Sequence, residues 1–234
     1  MKINYGLMLE ETLSKVAKAE NKASLLLHAC CAPCSSYVLE YLSQYFDITL
    51  FFHNPNIYPE EEFTVRLDEL NRFVRDAGYS SSVISPEYDS AEFFDAVRGM
   101  ENLPEGGERC RVCYALRLRR TAEAAKSGGF DYFTTTLSIS PYKNAEWLNE
   151  IGAELEAEYG ISYLFSDFKK KNGYKRSIEL SGEYGLYRQD YCGCVFSKVE
   201  SEKRKNAVTV LDENSEAMSD REFKNWLDGH GLSE

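Results

Sequence analysis

Cysteine carries the strongest chemical signal in this chain. Seven cysteines fall in three groups: Cys30, Cys31 and Cys34; Cys110 and Cys113; Cys192 and Cys194. Thiols acting only as small buried hydrophobes would be scattered singly. In a reducing compartment, clustered thiols are metal ligands or redox catalysts more often than structural bridges. Cys110-Arg111-Val112-Cys113 opens a helical segment, where residues i and i+3 share a face and the positive end of the helix dipole favours thiolate. Cys30 and Cys31 stand where extended chain turns into helix, a place where adjacent side chains can swing toward one centre. Together the two pairs supply four thiolates, enough for a tetrahedral zinc or an iron–sulfur cluster.

Other arrangements compete. Cys31-Ala32-Pro33-Cys34 has the form of a thioredoxin-type dithiol, but that chemistry leaves Cys30, Cys110 and Cys113 unused. A structural zinc on Cys31, Cys34, Cys110 and Cys113 leaves Cys30 idle and puts an inert metal where ligands normally bind. Cys192-Gly193-Cys194 cannot hold a cluster alone. Two cysteines one residue apart close a disulfide only with strain, and strain raises its reduction potential, which suits a pair that is cycled. The alternative is two reduced thiols with a glycine that permits a turn. His28 reads as a core or ligand-supporting histidine; His53, at a strand end, could reach a ligand or serve packing, and His230 carries no assignment.

The segments that must position these thiols alternate between strand and helix. Residues 1–22 form a polar helical lead-in. Apolar or β-branched runs predict strands over 23–29, 47–53, 81–85, 131–137 and 161–166. Helical spacing predicts helices over 35–45, 60–77, 91–97, 110–126 and 144–159. This pattern implies an α/β fold, a doubly wound, mostly parallel five-stranded sheet with a C-terminal helical extension. Right-handed crossovers gather the strand C-termini on one edge, and ligands sit there at the topological switch point. The first cysteine group follows the first strand, and the loops at Asn54 and Ser138 follow two others, so three strand-end loops converge. The expected division is a lead-in (1–22), a catalytic α/β domain (23–197) and a polar extension (198–234) with no chemical signal of its own.

With 234 residues, 43% hydrophobic and 28% charged, the composition is that of a globular protein and excludes disordered, collagenous or coiled-coil chains. No apolar run approaches the roughly 20 residues of a membrane span, and the N-terminus has no signal-peptide core, so the expected location is the cytoplasm. The net charge of −11 argues against a non-specific nucleic-acid coat. Two basic islands nevertheless stand out: five arginines within 109–120, and Lys169, Lys170, Lys171, Lys175 and Arg176 beside Asp167. They suit a polyanion held at one defined place; solvated helix faces are the alternative.

Several segments in order resemble one family: His28-Ala29-Cys30-Cys31-Ala32-Pro33-Cys34, Asn54-Pro55-Asn56-Ile57-Tyr58-Pro59, Arg109-Cys110 with Cys113, Thr134-Thr135-Thr136-Leu137, Ser140-Pro141-Tyr142-Lys143, Asp167-Phe168-Lys169-Lys170, and Leu186-Tyr187-Arg188-Gln189 running into Cys192-Gly193-Cys194. Over about residues 23–197 the chain is similar to the cobalamin-independent epoxyqueuosine reductases, the QueH family. The resemblance implies a Rossmann-type fold of the PP-loop (HUP-like) kind. It also implies two-electron deoxygenation of an epoxide to an alkene on a modified guanosine in the tRNA anticodon. The phosphate-cradling Ser-Gly-Gly-x-Asp-Ser signature is absent, so no ATP is expected. Carried over by position, Cys30, Cys31, Cys110 and Cys113 would hold a 4Fe-4S cluster, Cys192 and Cys194 would be the redox-active pair, and Cys34 is the candidate ligand of an additional iron.

Removing an epoxide oxygen needs two electrons and a group that stabilises the departing alkoxide, which a cluster and a Lewis-acidic iron can provide. The expected partners are the tRNA anticodon loop and an external electron donor such as a ferredoxin, with no membrane. Candidate substrate-binding residues are Asn54, Asn56, Tyr58, Tyr142, Lys143, Lys169, Lys170, Lys171, Arg176 and Arg188. The basic ones would meet phosphates, and Tyr58, Tyr142 and Tyr187 could stack on bases. Two rival functions share the scaffold: a cluster-assisted tRNA sulfur transferase of PP-loop type, which would need nucleotide, and a colourless zinc-stabilised RNA-binding module.

Overall fold

Five short runs, Ala23–His28 (β1), Phe46–Phe51 (β2), Ser82–Ile84 (β3), Tyr132–Thr135 (β4) and Ser162–Tyr163 (β5), pair in parallel in the order β3-β2-β1-β4-β5. The computed structural model describes residues 3–217. β1 is central, and its side chains alternate between two cores. Leu25 and Leu27 join one apolar cluster, and Leu26 joins the other. A strand covered on both faces in this way reads in sequence as one unbroken apolar run.

Helices cover both faces. Ala32–Leu42 (α2) and Glu60–Asp76 (α3) bury Val38, Leu39, Phe63, Leu70 and Phe73 in the first cluster, which also takes Leu9 and Leu13 of Tyr5–Val16 (α1). Glu108–Ser127 (α5) and Ala145–Tyr159 (α6) bury Tyr114, Leu118, Leu148 and Ile151 in the second. Ala91–Ala96 (α4), Gly173–Glu183 (α7) and Val195–Ala217 (α8) complete the described elements. Local chemistry fixes their ends. Three glutamates occupy the first turn of α3, where the helix dipole favours them. Asn144 Oδ1 accepts the amides of Glu146 and Trp147 at 3.0 and 3.2 Å to start α6, and Gly160 at φ 64° ends it.

From β1 the chain winds through α2 to β2, and from β4 through α6 to β5 on the opposite side. The β1/β4 boundary is therefore the switch point, with a crevice outside the strand ends. His28 closes its floor. Its Nε2 donates to the His53 carbonyl at 3.1 Å, leaving Nδ1 to accept from the Thr135 hydroxyl at 2.9 Å. Burial, aided by the charge of Arg117, pulls the imidazole down to about 3, so it stays a neutral brace.

The α/β reading and the five strands hold; several boundaries differ. β4 stops at Thr135 because its hydroxyl accepts the Leu137 amide at 3.1 Å and turns the chain into a 3-10 helix, Thr136–Ile139. β5 is two residues long. α2 begins at Ala32, with Pro33 in its first turn, so Cys34 is already helical. α7 grows from the end of the second basic island, where no element was expected. α8 begins at Val195 and runs through the expected 197/198 boundary; the rest of the extension, His230 included, lies outside the described residues. Among the described residues no helix is long and apolar enough to cross a membrane.

Candidate active site

The first cysteine group sits at the switch point. The Ala29 amide still donates to Phe51 O at 3.0 Å. Cys31 is extended as the N-cap of α2, and Cys34 lies within that helix's first turn. This path from strand to helix brings the sulfurs of Cys30, Cys31 and Cys34 within 4.8 Å of one another. Cys30 and Cys31 are 3.8 Å apart, and Thr136 Oγ1 lies 3.6 Å from Cys30 Sγ. Hydrogen bonds from Cys31 and Cys34 hold the Cys30 thiol well below its usual range against its burial, helped by Thr136 and Arg117. The same bonds push Cys31 and Cys34 up.

The other four cysteines meet beside them. α5 turns Cys110 and Cys113 inward, and with Cys192, Cys194, Asn56 and Arg117 they line a small cavity of about 10 Å³. Cys30 packs against the apolar cluster that contains Cys110. Backbone amides of Gly106 and Ser197 donate to Cys110 Sγ and Cys194 Sγ at 3.3 and 3.4 Å. Burial pushes the Cys113 thiol up to about 12, with Arg117 pulling the other way. Between Cys192 and Cys194, Gly193 adopts φ 114°. A Cβ there would stand 2.9 Å from Arg66 Nη1 and 3.0 Å from Ile57 Cγ1, so glycine is required twice over. The turn is gripped by Arg66, which donates to Cys192 O at 3.2 Å, and by the Tyr58 amide on Gly193 O at 3.0 Å.

Above the thiols lies a cavity of about 840 Å³ lined by Cys30, Cys31, Cys34 and Cys192. Its volume is in the range of small-molecule sites. Arg66, Arg117, Lys143, Arg188, Arg204 and Lys205 line it against two carboxylates, Glu105 and Asp190, so a chain of net charge −11 presents a positive cavity. Lys143 is buried, 3.6 Å from Glu105. Burial opposes its charge, but Cys192 and Tyr114 outweigh this and hold the ammonium above its ordinary range.

Of the residues expected to bind substrate, Tyr142, Lys143 and Arg188 line this cavity, with Tyr142 77% exposed at its rim. Asn54 and Asn56 are buried behind the thiols instead. Asn54 Nδ2 donates to Ala29 O at 2.9 Å, and its Oδ1 accepts from Arg117 at 3.3 Å. Tyr58 and Tyr187 are partly exposed but outside the lining. The second basic island also stands apart from it. Lys169 pairs with Asp167, Lys171 with Glu10, and Arg176 with Glu40, Glu179 and Glu183; Lys170 is exposed. The first island is not one continuous cationic face. Arg109 and Arg117 are buried, while Arg111, Arg119 and Arg120 pair with Glu150, Glu158 and Glu123. His53 faces Glu92 at 3.3 Å, away from the cavity.

Sequence reasoning missed Arg66, Tyr174, Tyr191 and the first turns of α8, whose Ser201, Arg204 and Lys205 wall the cavity. Arg66 left a readable trace. It occupies the buried stripe of α3 with Phe63, Leu70 and Phe73, a position where an arginine needs a reason.

Fold and site together define a doubly wound α/β protein with a cysteine-built centre under a cation-lined cavity. Residues 25–200 match the family described as Epoxyqueuosine reductase QueH, and the chain belongs to that family. It is 45% identical over 200 residues to the Epoxyqueuosine reductase QueH of Streptococcus pyogenes serotype M1, covering 84% of this chain and 78% of the relative. With the Staphylococcus epidermidis protein of the same name it shares 43% over 205 residues, 85% and 86% of the two chains. With that of Thermotoga maritima it shares 37% over 184 residues, 77% and 93%. Among solved structures, the U34-tRNA thiolase NcsA from Methanococcus maripaludis with its 4Fe-4S cluster superposes at a TM-score of 0.42 and 13% identity, over 94% of this chain and 79% of that one. So distant a likeness bears on neither fold nor site.

Proposed function

We propose that this chain reduces the epoxide of epoxyqueuosine in a tRNA anticodon, in the cytoplasm, with a 4Fe-4S cluster held by Cys30, Cys31, Cys110 and Cys113 and a further iron at Cys34. The observation that carries this reading is the meeting of three thiols within 4.8 Å under a positive cavity large enough for a nucleoside. The site fits such a group. Thiolate is the ligand that iron–sulfur centres take, and buried polar atoms of Arg117 and Asn56 stand without partners beside the thiols. When bound, iron of this kind supplies electrons singly and polarises a C–O bond.

The chain's own residues supply the rest. Cys192 opens into the large cavity beside the Lys143 ammonium, while Cys194 is buried behind it. Closing a disulfide between them releases two electrons and two protons. Those balance the conversion of an epoxide to an alkene and one water. An external reductant of ferredoxin type then returns two electrons, and two protons from solvent restore the dithiol. Lys143 Nζ keeps a proton next to Cys192 Sγ. Arg188 and Arg204 face phosphate, and Tyr142 offers a ring at the rim.

The test is anoxic incubation with an anticodon stem-loop carrying epoxyqueuosine and a reductant, without nucleotide. Mass spectrometry of the released nucleoside should show loss of one oxygen atom. Unchanged nucleoside, or conversion only with ATP, contradicts the reading.

A further inference from the structure

Among the described residues, buried side-chain atoms without hydrogen-bond partners collect around the thiols. Arg66 Nη2, Arg117 Nη2, Arg109 Nε and both amide atoms of Asn56 belong to residues that line the two thiol cavities. The remaining two, His53 Nε2 and Glu92 Oε2, face each other at 3.3 Å.

Arg117 is the most constrained of these. It lies on the buried face of α5, one turn after Cys113, and is 1% exposed. Its Nε donates to Cys113 O at 3.4 Å and its Nη1 to Asn54 Oδ1 at 3.3 Å. Asn54 in turn holds Ala29 O, next to Cys30. The guanidinium is thereby fixed between the two cysteine groups, and among the described cations it alone lines both cavities. Arg66 has Glu62 and Arg109 has Glu200, but no carboxylate pairs with Arg117 among the described residues. A buried charge without a counter-charge is strongly unfavourable, so with no carboxylate at hand the charge that matches it must come from the thiolates beside it and whatever they hold.

We propose that Arg117 is the fixed counter-charge of the thiolate-held cluster and sets the potential at which that cluster accepts an electron, with the Asn56 amide as a neutral second donor. The inference rests on the cluster reading above. One-electron reduction adds one negative charge inside a poorly polarisable site, and a cation locked beside it stabilises the reduced form. No proton has to accompany that electron.

The test uses the full chain, anoxically reconstituted, as parent, Arg117→Gln, Arg117→Lys and Asn56→Leu. Iron and sulfide contents are measured first. Dithionite titrations with mediator dyes, followed by electron paramagnetic resonance, then give each midpoint. At the parent midpoint, Arg117→Gln should show a reduced-to-oxidised ratio at least tenfold lower, a shift of about 59 mV for a one-electron couple. Arg117→Lys, which keeps the charge, should stay within threefold of the parent, and Asn56→Leu should fall between. A loaded Arg117→Gln protein with the parent midpoint overturns the assignment. If Arg117→Gln takes up no iron, Arg117→Lys decides: loading with the parent midpoint supports the role, and failure to load or a tenfold shift overturns it. A parent chain without iron sinks the cluster reading and this assignment together; a loaded parent with an unmoved Arg117→Gln midpoint sinks this one alone.

Discussion

Cys30→Ala should give a folded chain with little iron and with turnover reduced at least about a hundredfold, since loss of mere supporting partners already costs 10–100-fold. Cys30 is the sulfur whose thiolate form is favoured most, because both neighbours and Thr136 direct hydrogen bonds to it. Without it, Cys31 loses the 3.8 Å contact with Cys30, and the centre loses its bridge between the switch point and the cluster of side chains around Cys110. Cys30 is only half-buried and alanine removes a single heavy atom, so the fold should survive. Iron per chain, circular dichroism and product formation check this together. A Cys30→Ala protein with parental iron and turnover contradicts the ligand assignment.

The second large effect is expected at the Cys192-Gly193-Cys194 turn. Cys192→Ser should retain its iron but lose multiple turnover by about a hundredfold or more, because no disulfide can close. Cys194→Ser should be as severe, and the double variant no worse than either, as for residues that act as one unit. Steady-state product per chain with a ferredoxin-type donor is the readout. Equal turnover by parent and Cys192→Ser would remove the dithiol from the reaction and leave the turn a structural feature gripped by Arg66 and the Tyr58 amide.

Much of this was legible in the sequence because the signals are local. The apolar run 23–28 and the breaks after each strand fix the parallel sheet, and the three cysteine groups mark the edge where the thiol-lined cavities lie. Less legible were features set by tertiary partners. The arginines of 109–120 read as a basic island, yet burial and pairing with glutamates on α6 and α8 decide what each does. Asn54 and Asn56 lie on the expected strand-end loop, but the Asn54 amide is turned inward by Ala29 O and Arg117, and Asn56 is buried beside the thiols. α7 was hidden because it follows the lysine-rich segment directly and carries Lys175 and Arg176 in its first turn, and its burial comes from Gly173, Ser177, Leu180 and Ser181. The contribution of α8 to the cavity rests on Ser201, Arg204 and Lys205, ordinary surface residues until the helix is placed.

The central claim is that thiols from separate stretches of the chain hold iron at the switch point. Iron and acid-labile sulfide per chain, measured on anoxically purified parent and Cys110→Ala proteins, test it most directly. The account predicts a coloured parent with about four sulfides and four or more irons, and a colourless, inactive Cys110→Ala chain. A parent that carries zinc or no metal, or a Cys110→Ala chain that keeps its iron, would contradict it.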